Sequence, residues 1–368
     1  MEKYYLAALA SVLGYAASRK VFMLVNYFGS AKAAYEASQA EVLASGIIKG
    51  NLQNYYNSHW KENLPEVLAE YCANTGAQII SLKETIYPQA LKSISVPPAV
   101  LYVRGNLPSV KNCVAIVGSR KASAYGLKAA EEFAARLAAE KLVIVSGGAK
   151  GIDASAHKGA LKAKGATIAV LGSGIDLLYP AINSKMFAEI LDTGAVISEF
   201  PPGVKPLPQN FPMRNRIIVG MCRGVLVVEA AQKSGAMITA DIALAENREV
   251  YCLPGNIYSS TSKGTNGLIK EGAMLVDQPE EILEDYGLLF KERKAFKIET
   301  ENLFAKLSPK DDGQTNVVLT VLTPGEAVTL EEIVTKTEMP LSTVSGILLD
   351  LQISGLVLQQ PGQRYMRI

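Results

Sequence analysis

Apolar residues between positions 113 and 253 follow two alternating rhythms. Short runs rich in β-branched residues recur at Cys113–Val117, Leu142–Val145, Thr167–Leu171, Ala195–Ser198, Gly224–Val228 and Glu249–Leu253. Between the first two, Tyr125–Lys141 places Leu127, Ala130, Phe133, Ala134 and Leu137 at helical spacing, with Lys128, Glu131, Glu132 and Arg136 on the other face. Asp153–Lys164, Ser184–Leu191, Arg214–Met221 and Thr239–Glu246 read as further helices, and Gly267–Glu271 resumes as one after Pro254-Gly255 breaks the last strand. Apolar runs without polar alternation belong to strands covered on both faces. Strands alternating with helices predict an α/β architecture, a doubly wound and mostly parallel sheet. Ligands of such sheets sit at the carboxyl ends of the strands, where the turns Gly118-Ser119-Arg120 and Gly147-Gly148 fall.

The flanks have other rhythms. Residues 1–76 carry apolar clusters at three- to four-residue spacing, punctuated by Gly14, Gly29, Gly46 and Gly50, and predict a small helical module of the SAM or helix-hairpin-helix kind. The region 77–112 opens with a possible strand, Ala77–Leu82, then reads as an extended packed connection because of its prolines, including Pro97-Pro98. It joins the sheet to give a unit spanning 77–288. Residues 289–315, with Pro309-Lys310-Asp311-Asp312-Gly313, read as a linker. Residues 316–368 give three helices, Val317–Leu322, one opened by a Thr329/Glu332 capping box, and Leu341–Ser354, then strands Leu356–Gln359 and Tyr365–Ile368. That order is a winged helix.

Composition narrows the chemistry. Of 368 residues, 49% are hydrophobic and 20% charged, a core-building chain. No apolar run approaches the ~18 residues of a membrane span, and Met1–Ala10 lacks a basic segment followed by an apolar core, so a cytoplasmic location is expected. Cys72, Cys113, Cys222 and Cys252 are far apart, predicting free buried thiols and neither a zinc site nor a disulfide framework. The net charge of +2 decides little, but residues 77–290 hold 22 basic and 19 acidic groups, whereas 316–368 hold three basic and five acidic. An anion-binding surface therefore belongs on the middle unit.

Three stretches carry candidate chemistry. Gly118-Ser119-Arg120 ends a strand and is expected to open a helix, offering close backbone approach, amides and a bidentate cation to an anion. It matches neither G-x-G-x-x-G nor G-x-x-x-x-G-K-[ST]; its plain alternative is a tight turn with a solvated arginine. Ser146-Gly147-Gly148-Ala149-Lys150-Gly151-Ile152-Asp153 is a second glycine turn, with His157 one helical turn beyond Asp153. Without a G-x-S-x-G elbow, Asp153 and His157 are expected to hold the turn structurally, not to catalyse. In Phe211-Pro212-Met213-Arg214-Asn215-Arg216, two arginines fall in the first turn of the expected helix, against its dipole, which points to a site. Phe211 stacks a base or plugs the core. Lys263 opens another glycine-rich helix entry, and Glu229 lies on the rim. Cations and glycine turns without nucleophile, metal set or cofactor fingerprint suit a polyanion such as single-stranded nucleic acid, which needs a positive groove and stacking faces.

The motifs G-S-R, S-G-G-A-x-G-I-D-x-x-A-H, G-S-G-I-D-x-x-Y-P, S-E-F-P-P-G, F-P-x-R-N-R-I-I and P-G…G-T-N-x-L-I-x-x-G-A, in this order over about residues 85–275, resemble the bacterial DNA-processing protein A (DprA/Smf) family. The resemblance implies a Rossmann-like core and a non-enzymatic protein without cofactor. It implies a single-stranded-DNA-binding recombination mediator that protects incoming DNA in natural transformation, helps load RecA, and dimerises through the Rossmann-like unit. It carries the DNA site over to Gly118, Ser119, Arg120 and the segment Phe211–Arg216 (Phe211, Arg214, Asn215, Arg216). Lys263 is added from its charge, and Gly147, Gly148, Gly151, Asp153 and His157 are kept as structural motif residues. Where relatives commonly carry a basic residue after Tyr-Pro, this chain has Ala181.

Two rival readings remain. One is a nucleotide-phosphate hydrolase or phosphoribohydrolase on a related frame, with Glu229 or Glu199 as the acid; Ser234–Ala240 does not supply its expected P-G-G-x-G-T-x-x-E motif. The other is a duplex-binding regulator. The third helix of the winged unit, Leu341–Ser354, has no Lys or Arg and carries Asp350, so this unit is expected to bind protein or its own chain instead.

Overall fold

A computed structural model describes residues 1–14, 17–288, 313–323, 327–360 and 362–367. The linker expected over 289–315 lies mostly outside them. The chain forms two compact units, residues 1–289 and 290–368.

The first unit begins with six helices: α1 (Glu2–Leu13), α2 (Ser18–Phe28), α3 (Ala31–Glu36), α4 (Gln39–Ala44), α5 (Asn51–His59) and α6 (Leu64–Thr75). There follow β1 (Gln78–Ser81), α7 (Gln89–Lys92), β2 (Val100–Gly105), β3 (Cys113–Val117), α8 (Ala124–Ala139), β4 (Val143–Ser146), α9 (Ile152–Lys162) and β5 (Thr167–Val170). Then come α10 (Ser184–Thr193), β6 (Ala195–Ser198), α11 (Asn210–Gly220), β7 (Gly224–Val227), α12 (Gly235–Ala245), β8 (Glu249–Cys252), α13 (Lys263–Lys270), β9 (Met274–Leu275) and α14 (Pro279–Asp285).

The strands make one sheet of order β1-β2-β6-β5-β4-β3-β7-β8-β9. From β6 to β9 every pairing is parallel; β2 pairs antiparallel with both β1 and β6. The stretch expected as a connection at Leu101–Gly105 is thus a strand. Pro97-Pro98 stand just ahead of it and cost it no ladder donor. Chain order reverses between β3 and β7, so their carboxyl ends flank the crevice of a doubly wound sheet.

Both faces are covered, as the apolar runs require. Cys113, Ala115, Val117, Val143, Val145, Val225 and Val227 face α7, α11 and α12 through Leu91, Ile217, Ile218 and Ala240. Val114, Ile116, Ile144 and Leu226 face α8, α9 and α14 through Phe133, Leu137, Ala156 and Ile282. Farther along that side, Tyr102, Ala169 and Val196 share one core with Leu9, Val12 and Leu24 of the N-terminal helices. All four cysteines are buried and free. Among the described residues no helix is long and apolar enough to cross a membrane.

The second unit has helices Gly313–Val321, Leu330–Thr337 and Leu341–Ile353 and a sheet of order β10 (Val328–Thr329), β12 (Arg364–Arg367), β11 (Val357–Gln360). Thr329 and Glu332 close the expected capping box. Val318, Ile333, Val344, Leu348 and Tyr365 form its core, a winged helix.

Candidate nucleic-acid interface

The two glycine turns form one body. Gly151 adopts φ +80°, and a Cβ there would run into the Ser119 carbonyl oxygen and lie 3.0 Å from Arg120 Cα. The Ile152 amide donates to that same carbonyl at 3.2 Å. Only glycine lets the second turn sit under the first at this distance. Gly118 is equally close, its Cβ position 2.6 Å from Ile152 Cγ1. The chain is thereby fixed so that Arg120 stands exposed at the carboxyl end of β3.

The expected helix does not open on this turn. Ser123 caps α8, accepting from the Gly126 amide at 3.1 Å, so the helix starts four residues beyond Arg120. The Ser119 amide donates to the Glu229 carbonyl at 2.8 Å. The turn therefore does not offer the Ser119 amide to an anion. Glu229, buried at the end of β7, accepts from the Ser123 amide at 2.8 Å and its hydroxyl at 2.6 Å, and from Thr261 Oγ1 at 3.2 Å. A carboxylate thus occupies the amino end of α8, where the helix field favours negative charge.

The segment 211–216 divides. Helix α11 begins at Asn210, with Pro212 in its first turn, where proline sacrifices no hydrogen bond. Arg214 and Arg216 consequently lie past the first turn, and the expected conflict with the helix dipole does not arise. Arg214 is 4% exposed. Its Nη1 donates to the carbonyls of Gly147, at 2.9 Å, and Val170. Burial lowers its pKa to about 10, with Asp153 holding it up, so it stays cationic at neutral pH. Asp153 Oδ2 accepts from the Gly147 amide at 3.2 Å; burial raises its pKa against the pull of Arg214. Arg214 is a strut for the second glycine turn, not a free phosphate donor. Arg216 is held bidentately by Glu199, with both Nη2–Oε distances 2.7 Å. Burial pushes Glu199 up to about 7. Asn215 donates to Thr239 Oγ1 at 3.0 Å and accepts from Arg214 Nε. These three expected DNA contacts are inward-facing because each met a buried partner.

Phe211 takes the opposite course. It lies half-buried on Gly172, whose Cβ position is 2.8 Å from the ring. The Arg120 guanidinium carbon sits 5.0 Å from its centroid, within cation–π range. Tyr179, 47% exposed, approaches the same ring with centroids 6.1 Å apart. Lys263 is exposed as the first residue of α13. Lys121 and Lys150, also exposed beside the joined turns, were not singled out from the sequence as contacts, although adjacency to Arg120 and Gly151 was the available signal.

His157 does not hold the turn. It is buried, with Nδ1 2.7 Å from Thr167 Oγ1, and Thr167 itself donates to the Ile144 carbonyl. That leaves the threonine as acceptor and the histidine as the Nδ1–H tautomer, tying α9 to β5. Burial lowers its pKa to about 3. Among the described residues no group of His, Cys, Asp and Glu could hold a metal ion.

Residues 78–287 match the family described as DNA recombination-mediator protein A, and residues 304–363 match the DprA winged helix domain. The chain is 39% identical over 294 residues to protein Smf of Escherichia coli, covering 79% of this chain and 77% of that one. It is 45% identical over 207 residues to DNA processing protein DprA of Streptococcus pneumoniae, covering 56% and 73%. The solved structure of the latter superposes with a TM-score of 0.65 at 34% identity, covering 77% of this chain and 98% of that one. The Helicobacter pylori DNA processing protein A, solved for its single-stranded DNA binding mode, gives 0.52 at 30% identity, covering 57% and 95%.

Proposed function

Because the chain belongs to the DNA recombination-mediator protein A family, we propose that it binds single-stranded DNA across the joined glycine turns and acts on that strand as a recombination mediator, not as an enzyme. The observation that carries this reading is the Arg120–Phe211 pair. A guanidinium fixed 5.0 Å from an aromatic centroid at the carboxyl edge of the sheet presents a phosphate donor and a stacking surface at one point. Single strands are held by that combination, independent of base identity. Lys121, Lys150 and Lys263 add exposed positive charge. In this reading the bound strand is incoming DNA in natural transformation, protected and handed to RecA in the cytoplasm.

The proposed assembly is a homodimer through the Rossmann-like unit. Edge strand β9 supports it, leaving Met274 41% and Leu275 44% exposed beside unpaired backbone. The winged helix is assigned to protein contact. Its third helix exposes Leu341 and Leu349, 56% each, and no cation.

The hydrolase reading is weaker, because its two candidate acids have structural partners: Glu229 accepts from Ser123 at the start of α8, and Glu199 accepts from Arg216.

Fluorescence anisotropy of a labelled dT oligomer tests the proposal. Wild type binds, Phe211→Ala binds about tenfold more weakly, and Arg120→Glu loses most binding. Equal binding by all three proteins moves the DNA to another surface.

A further inference from the structure

An opening lies next to the Gly118–Arg120 turn, against Ser123 and Glu229. It is a cavity of about 610 Å³ at the reversal point of the sheet, lined among others by Ser123, Tyr125, Glu229, Pro254, Asn256 and Ser259. It belongs neither to the Phe211 face nor to any residue assigned above to DNA. Its position, outside the carboxyl ends of β3, β7 and β8, is where doubly wound sheets hold ligands.

The lining selects the ligand. Nucleotide sites on this architecture normally seat phosphate on the amino end of the helix after the first strand. Here that end is filled by the Glu229 carboxylate, 2.8 Å from the Ser123 amide. A phosphate entering would face a buried carboxylate and lose the amide it needs. A neutral, flat group with N–H donors fits instead. Oε1 of Glu229 already accepts from Ser123 Oγ and Thr261 Oγ1, whereas Oε2 accepts only from the Ser123 amide among the hydrogen bonds described. Each of the four DNA bases carries at least one N–H on its pairing edge, so such an acceptor serves all of them. The wall supplies the stacking face. The Tyr125 ring is 51% exposed, and its hydroxyl donates to the Pro254 carbonyl at 3.0 Å.

We infer that this cavity is a base pocket, taking a nucleobase of the same strand whose backbone crosses Arg120, stacked on Tyr125 with its pairing edge toward Glu229. The inference rests on the single-strand reading above. Ser123 is three residues from Arg120, at most about 11 Å of chain. A base-stacked strand covers that in about three nucleotides at its ~3.4 Å axial rise per nucleotide.

The test compares an ordinary dT oligomer with one carrying abasic residues at successive positions, for wild type, Tyr125→Ala, Tyr125→Phe and Arg120→Glu. Tyr125 is half-exposed in the first turn of α8, and circular dichroism and a denaturant midpoint confirm that each variant folds. Tyr125→Ala weakens the ordinary oligomer about tenfold, Tyr125→Phe retains the affinity, and one abasic position erases the difference between Tyr125→Ala and wild type. A base-sensitive Phe211 face without such a position overturns the pocket while the parent reading stands. Unchanged binding by Arg120→Glu overturns the parent reading instead. A third arm titrates free thymidine and deoxyguanosine. Nucleoside binding that Tyr125→Ala abolishes, with no abasic effect on the strand, assigns the cavity to a free nucleoside and overturns the strand pocket.

Discussion

Arg214 Nη1 donates to the Gly147 carbonyl at 2.9 Å, with the Asp153 carboxylate accepting from the amide of the same Gly147. One residue of the second glycine turn is thus clamped on both its polar atoms by two buried side chains of opposite charge, whose mutual attraction opposes the cost of burying each. The pair fixes the turn, and the turn fixes Ser119 and Arg120 through Gly151.

Removing one partner of such a pair leaves a buried charge uncompensated. Arg214→Met is expected to lower folding stability by about 3–5 kcal/mol, read from denaturant unfolding. Arg120→Met, on an exposed side chain, stays within about 0.5 kcal/mol of wild type. Should Arg214→Met keep full stability and lose only DNA binding, its role as a strut is wrong.

Gly151→Ala combines a left-handed backbone at φ +80° with a methyl driven into the Ser119 carbonyl. It is expected to cost about 2 kcal/mol or more. It also weakens single-strand binding, because relief of the clash moves Arg120. A variant destabilised but binding DNA with wild-type affinity would disconnect the two turns.

His157 titrates at about 3 in the folded protein, against about 6.5 in the unfolded chain. Between these values the unfolded state binds the proton and the folded state does not, so stability rises with pH across the window and is lost as pH falls from 6.5 toward 3. The slope contributed by this one residue is about 1.4 kcal/mol per pH unit. With only two histidines in the chain, imidazole NMR resolves it. The His157 resonances stay those of the neutral Nδ1–H form down to pH 4, and a midpoint near 6.5 would refute the buried geometry.

The strands of the parallel core were legible to within about one residue, because a run such as Cys113–Val117, apolar at every position, has little alternative to a doubly covered sheet. The starts of helices were less so. The helix expected from Arg214 leaves Pro212 outside it, yet proline is acceptable in a first turn, and α11 begins at Asn210. The helix expected from Thr239 begins four residues earlier at Gly235, capped by Ser234. The short β9 and helix α14 gave too little pattern to register. Site residues divided on tertiary grounds. Arg120, Arg214 and Arg216 look alike in a string of letters. Glu199 and Asp153, 17 and 61 positions away from Arg216 and Arg214, decide which guanidinium remains outside.

The salt dependence of single-strand binding tests the central claim most directly. For single strands, log Kobs falls against log salt with a slope of about −0.7 per phosphate contact. Anisotropy of a labelled dT oligomer, titrated with wild type and with Arg120→Gln over a salt series, is expected to show a steep negative slope that the variant reduces by about 0.7, alongside weaker binding. Equal affinities and parallel slopes for the two proteins would place the DNA away from the Gly118–Arg120 turn and contradict the account.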